Sequence, residues 1–155
     1  MQIGIGYDVH RLVTERRLIL GGVHIPFEKG LLGHSDADVL VHAICDALLG
    51  SAGLGDIGRH FPDTDPRYKD ISSLKLLSQT NAMVRKKGFS ICNIDTIIFA
   101  EAPKIGPYRE AMQKNLAHAV EVAPDCINIK ATTTEGLGVI GKGDGIGAMS
   151  VVLVA

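Results

Sequence analysis

Asp8-Val9-His10 near the start of the chain and His42 further on tie a strand to a helix, and no other feature constrains the fold as much. In an extended strand successive side chains alternate faces, so Asp8 and His10 point the same way. The segment from Ser35 to Gly50 opens on a capping-box-like Ser35-x-x-Asp38 and closes on a glycine suited to a helix C-terminus, which predicts a helix from Asp36. On that helix Asp38, His42 and Asp46 recur every fourth residue and line one face, so one of them can ligate while a neighbour orients it. Two imidazoles and a carboxylate with a fourth position open suit a catalytic zinc better than a closed structural one.

A chain of 155 residues with 46% hydrophobic content is long enough for one domain with a real core, and too short for two comfortable ones. The formal net charge of −1 excludes a global field that would steer the protein to nucleic acid or to a membrane, so an anionic ligand must be captured locally. Neither a basic start followed by a long apolar run nor an apolar stretch of transmembrane length occurs, and the chain is expected to be soluble and unsecreted. Cys45, Cys92 and Cys126 lack a Cys-x-x-Cys spacing and sit in apolar contexts. They are expected to be small core residues in a reducing compartment.

Strand-like stretches are predicted over Met1 to Arg11 and Arg17 to Pro26, followed by the helix from Asp36. Gly50 to Asp65, with Gly53, Gly55, Gly58 and Pro62, is expected to be an irregular loop whose charged tip meets ligand. A second helix follows from Ile71 to Gly88, then a strand from Phe89 to Ala100 and a helix from Pro107 to about Val120. Strands over Ile127 to Thr132 and Ile146 to Ala155 complete an α+β architecture, a sheet covered by helices. Six glycines between Gly136 and Gly147 form a run that needs a close backbone approach to explain it.

Three further segments carry groups suited to chemistry. Asp56-Ile57-Gly58 with Phe61-Pro62-Asp63-Thr64-Asp65 puts acids and a hydroxyl on a Gly/Pro-shaped loop, able to hold a sugar-like hydroxyl or a bridged metal, or to be an ordinary Asx-rich turn. Ala100-Glu101-Ala102-Pro103-Lys104 comes off a buried strand, where backbone groups and a lysine can meet a base or phosphate. Ala131-Thr132-Thr133-Thr134-Glu135 ends another strand with hydroxyls that can donate to phosphate oxygens and a carboxylate that can hold a hard cation.

In order and spacing, these motifs together with His34-Ser35-Asp36 and Ala102-Pro103-Lys104 resemble the 2-C-methyl-D-erythritol 2,4-cyclodiphosphate synthases of the non-mevalonate isoprenoid pathway, from end to end of the chain. The resemblance implies a mixed sheet covered by helices on one face, in a homotrimer whose sheets surround the three-fold axis and whose active sites lie between subunits. It implies a phosphorus-oxygen lyase that turns a CDP-linked methylerythritol 2-phosphate into a cyclic diphosphate and CMP. Asp8, His10 and His42 would hold zinc, Glu135 would help hold magnesium or manganese, and His34 and Thr133 would stabilise the transition state. Ser35, Asp56, Ile57, Gly58, Phe61, Asp63 and Asp65 would meet the methylerythritol phosphate. Ala100, Lys104, Ile105, Gly106, Ala131, Thr132 and Thr134 would form the cytidine and phosphate pocket of the neighbouring subunit. The implied location is a bacterial cytoplasm, or a plastid-type organelle after removal of a transit peptide.

At the mouth of an axial cavity where the family often has an aromatic residue and an arginine, this chain has Val139 and Lys142. Lysine offers a compact charge in place of a bidentate fork, and valine cannot stack, so an isoprenoid diphosphate on the trimer axis is a partner those two positions must decide. Two rival functions stand beside the synthase. A His/His/Asp zinc with a second cation could equally activate water in a phosphohydrolase. A metal-binding scaffold trimer would hold zinc without turnover.

Overall fold

The computed structural model describes residues 1–155. β1 (Gln2–Val13) alternates as its sequence predicts, with Gly4, Gly6, Asp8, His10 and Leu12 on the covered face and Ile3, Ile5, Tyr7 and Val9 on the open one. β2 (Leu18–Leu20), β3 (Val23–Ile25) and β4 (Gly30–Leu31) lead to α1 (Val39–Ser51). Then come α2 (Ile57–His60), α3 (Ser73–Lys86), β5 (Ile91–Phe99) and α4 (Arg109–Val120). β6 (Ile127–Thr132), the short α5 (Gly138–Gly141) and β7 (Gly145–Val154) close the chain. Five strands form one mixed sheet in the order β4-β1-β7-β5-β6, antiparallel except for the parallel β5/β6 pair at one edge. The architecture is α+β. α1 lies across β1, β7 and β5 with α3 on its outer side, and α4 packs on β6. Enclosed by sheet and helix, α1 is apolar nearly all round, as a helix with no solvent face must be.

Several elements differ from the sequence expectation for identifiable reasons. Arg17 to Pro26 is a hairpin rather than one strand, because Gly21 and Gly22 both take the left-handed backbone (φ 54° and 69°) of a two-residue hairpin turn. Asp38, not Ser35, caps α1, with its carboxylate accepting the Val41 N–H at 3.2 Å. Nor does α1 end at Gly50: it runs through Ser51, and the chain turns left-handed only at Gly53. The stretch from Gly50 to Asp65 contains α2, nucleated by Asp56 accepting the Arg59 N–H at 3.0 Å. Of the cysteines only Cys45 is a core residue. A register irregularity between Ile91 and Asn93 turns Cys92 to solvent, and Cys126 is half-buried.

Asp38 does more than cap. Fully buried, it also accepts the Gly21 and Gly22 N–H groups at 3.0 and 2.7 Å, so one carboxylate pins the hairpin turn onto the start of α1. Burial pushes its carboxyl up to about 6, with repulsion from Asp36 adding and the three backbone donors opposing. A folded-state value above the unfolded one means that the protonated form favours folding. That advantage is complete below about pH 4 and is lost as pH rises through about 6. The stability of the native chain minus that of Asp38→Asn should therefore fall by about 2 kcal/mol between pH 4 and pH 7, read from urea unfolding. A difference independent of pH would refute this state of Asp38.

Candidate metal centre and the surrounding pocket

The alternation of β1 sends Asp8 and His10 toward α1, and His42 in the first turns of that helix descends to meet them. Asp8 Oδ2 lies 3.1 Å from His42 Nδ1 and 3.5 Å from His10 Nε2, and the two imidazole rings meet edge-on with centroids 5.1 Å apart. Nitrogen and oxygen ligands of a tetrahedral cation are spaced by about 3.3 Å, from metal–ligand distances of about 2.0–2.2 Å. One donor from each of the three residues lies within 4.8 Å of the others. The donor set fits a divalent cation with a position left open.

Each ligand is aimed by its own second bond. Asp8 Oδ1 accepts the Val9 N–H at 2.8 Å, which leaves Oδ2 for the centre. His10 Nδ1 sits 2.9 Å from the Val9 carbonyl, so it carries the proton and Nε2 faces inward as a lone pair. His42 Nε2 faces the hydroxyls of Ser35 and Ser73 at 3.1 and 3.0 Å, so its Nδ1 is the inward nitrogen. Asp38, expected to share this duty, faces the hairpin instead. Asp46, one turn on from His42, accepts the Ile57 N–H at 2.7 Å and steadies α2 beside the site. Burial raises the Asp46 carboxyl, and repulsion from Asp56 and Asp8 adds to it.

His10 and His42 open onto a cavity of about 430 Å³ that also takes in His34, Ser35, Ile57, Gly58, Phe61 and Asp63. Tyr68 and Leu76, which sequence reasoning missed, also line it. His34 Nε2 lies 3.1 Å from the Asp65 carbonyl, and Asp65 is engaged by Arg67, whose hydrogen bonds hold its carboxyl below the ordinary range. The hydroxyl of Ser35, expected to meet substrate, points to His42 and Ser73 within the protein.

The remaining predicted residues gather elsewhere. Ala100, Lys104, Ile105 and Gly106 follow β5, and Ala131 to Glu135 end β6 beside them, joined by the Ala100 N–H to the Thr132 carbonyl at 3.0 Å. Glu101 accepts the Thr134 and Gly136 N–H groups at 2.8 and 3.3 Å and braces this loop. Thr133 Oγ1 donates to Glu135 at 3.1 Å. None of these residues lines the His10/His42 cavity. Val139 is exposed beside a second cavity, of about 510 Å³, bounded by Val9, Arg11 and Asp144.

The pattern of the YgbB family matches residues 1–155. The chain belongs to the YgbB family. A relative in Desulfosudis oleivorans named 2-C-methyl-D-erythritol 2,4-cyclodiphosphate synthase is 62% identical over 154 residues, covering 99% of this chain and 92% of its own. One of the same name in Desulforamulus reducens is 63% identical over 151 residues, 97% and 96% of the two chains. Among solved structures, a 2C-methyl-D-erythritol-2,4-cyclodiphosphate synthase bound to CDP is 38% identical with a TM-score of 0.91, across 99% of this chain and 100% of that one. The bifunctional IspDF of Campylobacter jejuni is 46% identical with a TM-score of 0.95, and this YgbB chain matches 42% of its length.

A YgbB chain built this way should carry about one zinc per chain when purified, and His42→Ala should lose most of it, since two donors do not make a tetrahedral site. Elemental analysis that finds zinc unchanged in the variant would remove His42 from the centre.

Proposed function

We propose that this chain is a 2-C-methyl-D-erythritol 2,4-cyclodiphosphate synthase that converts 4-diphosphocytidyl-2-C-methyl-D-erythritol 2-phosphate to the 2,4-cyclodiphosphate and CMP. One observation carries the proposal: Asp8, His10 and His42 converge, with both imidazoles opening onto a cavity, in a chain about three-fifths identical to relatives bearing that name. In the reaction an oxygen of the substrate's 2-phosphate forms a bond to the β-phosphorus, and the bond from that phosphorus to the oxygen bridging it to the α-phosphate breaks. CMP leaves with the bridging oxygen and its electron pair.

The attacking oxygen is already anionic, so the protein needs no activated serine, cysteine or general base. Its task is to position the phosphates and neutralise charge. Cations at Asp8/His10/His42, assigned as zinc from the donors, and at Glu135, assigned as magnesium or manganese, supply Lewis acidity and charge neutralisation. His34, fixed by the Asp65 carbonyl, and Thr133 stabilise the charge of the transition state. Ile57, Gly58, Phe61 and Asp63, which line the cavity with Ser35, enclose the methylerythritol phosphate, and Asp56 and Asp65 belong to the same substrate-binding group. Ala100, Lys104, Ile105, Gly106, Ala131, Thr132 and Thr134 hold the cytidine and its phosphates. The phosphohydrolase alternative finds no support among the relatives, and the bacterial sources of those relatives favour a bacterial cytoplasm over an organelle. Phosphorus NMR of the products tests the reaction. A cyclic diphosphate together with CMP is expected; a linear phosphate would identify a hydrolase.

The working unit in this proposal is a homotrimer of single-domain chains. Ile3, Ile5, Tyr7, Val9 and Val151 leave the open face of the sheet apolar, and a patch of that kind is an interface on a soluble protein. The two groups of site residues belong to strands at opposite sides of the sheet, β1 and the edge strand β6, with β7 and β5 between them. A head-to-tail contact that brings one chain's β6 end to the next chain's β1 closes into a ring of three when each contact rotates the chain by a third of a turn. Lys142 and Val139 then lie toward the axis, where three ammonium groups would repel unless an anion such as an isoprenoid diphosphate sits between them. Mixed trimers of two inactive chains, His42→Ala and Lys104→Ala, should recover part of the activity. Verified mixed trimers that stay inactive would mean that each site is built within one chain.

A further inference from the structure

Behind His42, on the side away from Asp8, the Ser73 hydroxyl that aims its ring is one link of a polar chain whose far end, Asp36, has no role above. His42 Nε2 is 3.0 Å from the hydroxyl of Ser73, which is wholly buried at the first residue of α3. That hydroxyl donates to Asp36 Oδ1, and the Ser73 backbone N–H donates to Asp36 Oδ2 at 3.0 Å. Ser72, in the cap position of α3, makes no side-chain bond to the helix, so Asp36 caps it from 37 residues away in sequence. Two backbone bonds hold the segments together: Asp36 N–H to the Ile71 carbonyl at 3.0 Å and Asp70 N–H to the His34 carbonyl at 2.8 Å.

We propose that Asp36, acting through Ser73, sets the proton position and the ring orientation of His42, making both of them positioning residues of the metal centre. This rests on reading Asp8, His10 and His42 as metal ligands. A hydroxyl has one proton. Ser73 gives its proton to Asp36, so toward His42 it can only accept, and it favours the ring tautomer with its hydrogen on Nε2 over the one with its hydrogen on Nδ1, which Asp8 Oδ2 accepts. Ser35 Oγ, already accepting the Ala37 N–H at 3.1 Å, lies 3.1 Å from the same nitrogen and 3.3 Å from Ser73 Oγ. In that tautomer the lone pair is on Nδ1, 3.1 Å from Asp8 Oδ2, where a cation between the two is shared by both atoms. Were the Ser73 proton directed at His42 instead, an N–H would point into the donor set and expel a cation. The anionic end of the chain also makes the ring a stronger donor, the effect that a carboxylate behind a ligating histidine has in general.

The zinc-loaded full chain, titrated with a competing chelator, tests the relay. Ser73→Ala and Asp36→Asn should each weaken zinc binding about 10- to 100-fold, and Ser73→Thr, which keeps the hydroxyl, should recover most of the loss. Zinc affinity within twofold of wild type in both Ser73→Ala and Asp36→Asn would overturn the proposal. A second readout, insensitive to simple loss of stability, is the imidazole ¹⁵N spectrum of the metal-free full chain. Ser73→Ala should shift His42 from the Nε2–H tautomer toward the Nδ1–H tautomer that Asp8 Oδ2 accepts. If the wild type binds no zinc, the metal reading fails, and the spectrum then decides the relay by itself: a tautomer balance that Ser73→Ala leaves unchanged would refute it.

Discussion

The contact on which everything else depends is the backbone-to-backbone approach of β1 and α1. A methyl group built at Gly4 would lie 1.8 Å from the Ala47 carbonyl oxygen, and one at Gly6 would lie 2.0 Å from that of Ala43. Hydrogen alone fits at either position. The two glycines share the face that continues into Asp8 and His10, while Ala43 directly follows His42. The same close fit that seats the helix therefore fixes the height of His42 above the strand carboxylate. Dispersion and apolar burial along α1 hold the arrangement, with Leu40, Ile44 and Leu48 among its fully buried side chains.

Around that contact the polar groups divide into holders and workers. Asp38 spends its carboxylate on three backbone donors of the hairpin and helix, and Asp36 spends its own on the start of α3. Glu101 does the same for the loop after β6. Each ties together backbone segments that would otherwise end in unpaired N–H groups, which are costly to bury. The inward-facing atoms Asp8 Oδ2, His10 Nε2 and His42 Nδ1 meet only one another, and this leaves them available to a cation. Such separation of structural from chemical carboxylates keeps the open position of the centre free of a competing internal ligand.

Much of this was legible in the sequence where periodicity governs. The two-residue period of β1 placed Asp8 and His10 on one side, and the β6 limits, Ile127 to Thr132, follow from the pattern alone. Failures occurred where a partner distant in sequence decided the outcome. Ser35 looked like a helix cap by spacing, yet its hydroxyl is drawn to His42 and Ser73, and Asp38 caps in its place. Gly21-Gly22 broke an apparently continuous strand because two consecutive left-handed residues make a reversal. No local signal marks Ser73 or Glu101, whose bonds span more than thirty residues. The exposure of Cys92 depends on a strand irregularity invisible to composition.

Anomalous diffraction at the zinc edge, from crystals of the full chain, tests most directly whether the glycine-seated helix builds a metal centre. Predicted is one strong peak per chain, about 2 Å from Asp8 Oδ2, His10 Nε2 and His42 Nδ1 together. A zinc peak bonded to any other set of side chains, or no peak at these three in protein shown to contain zinc, would contradict it.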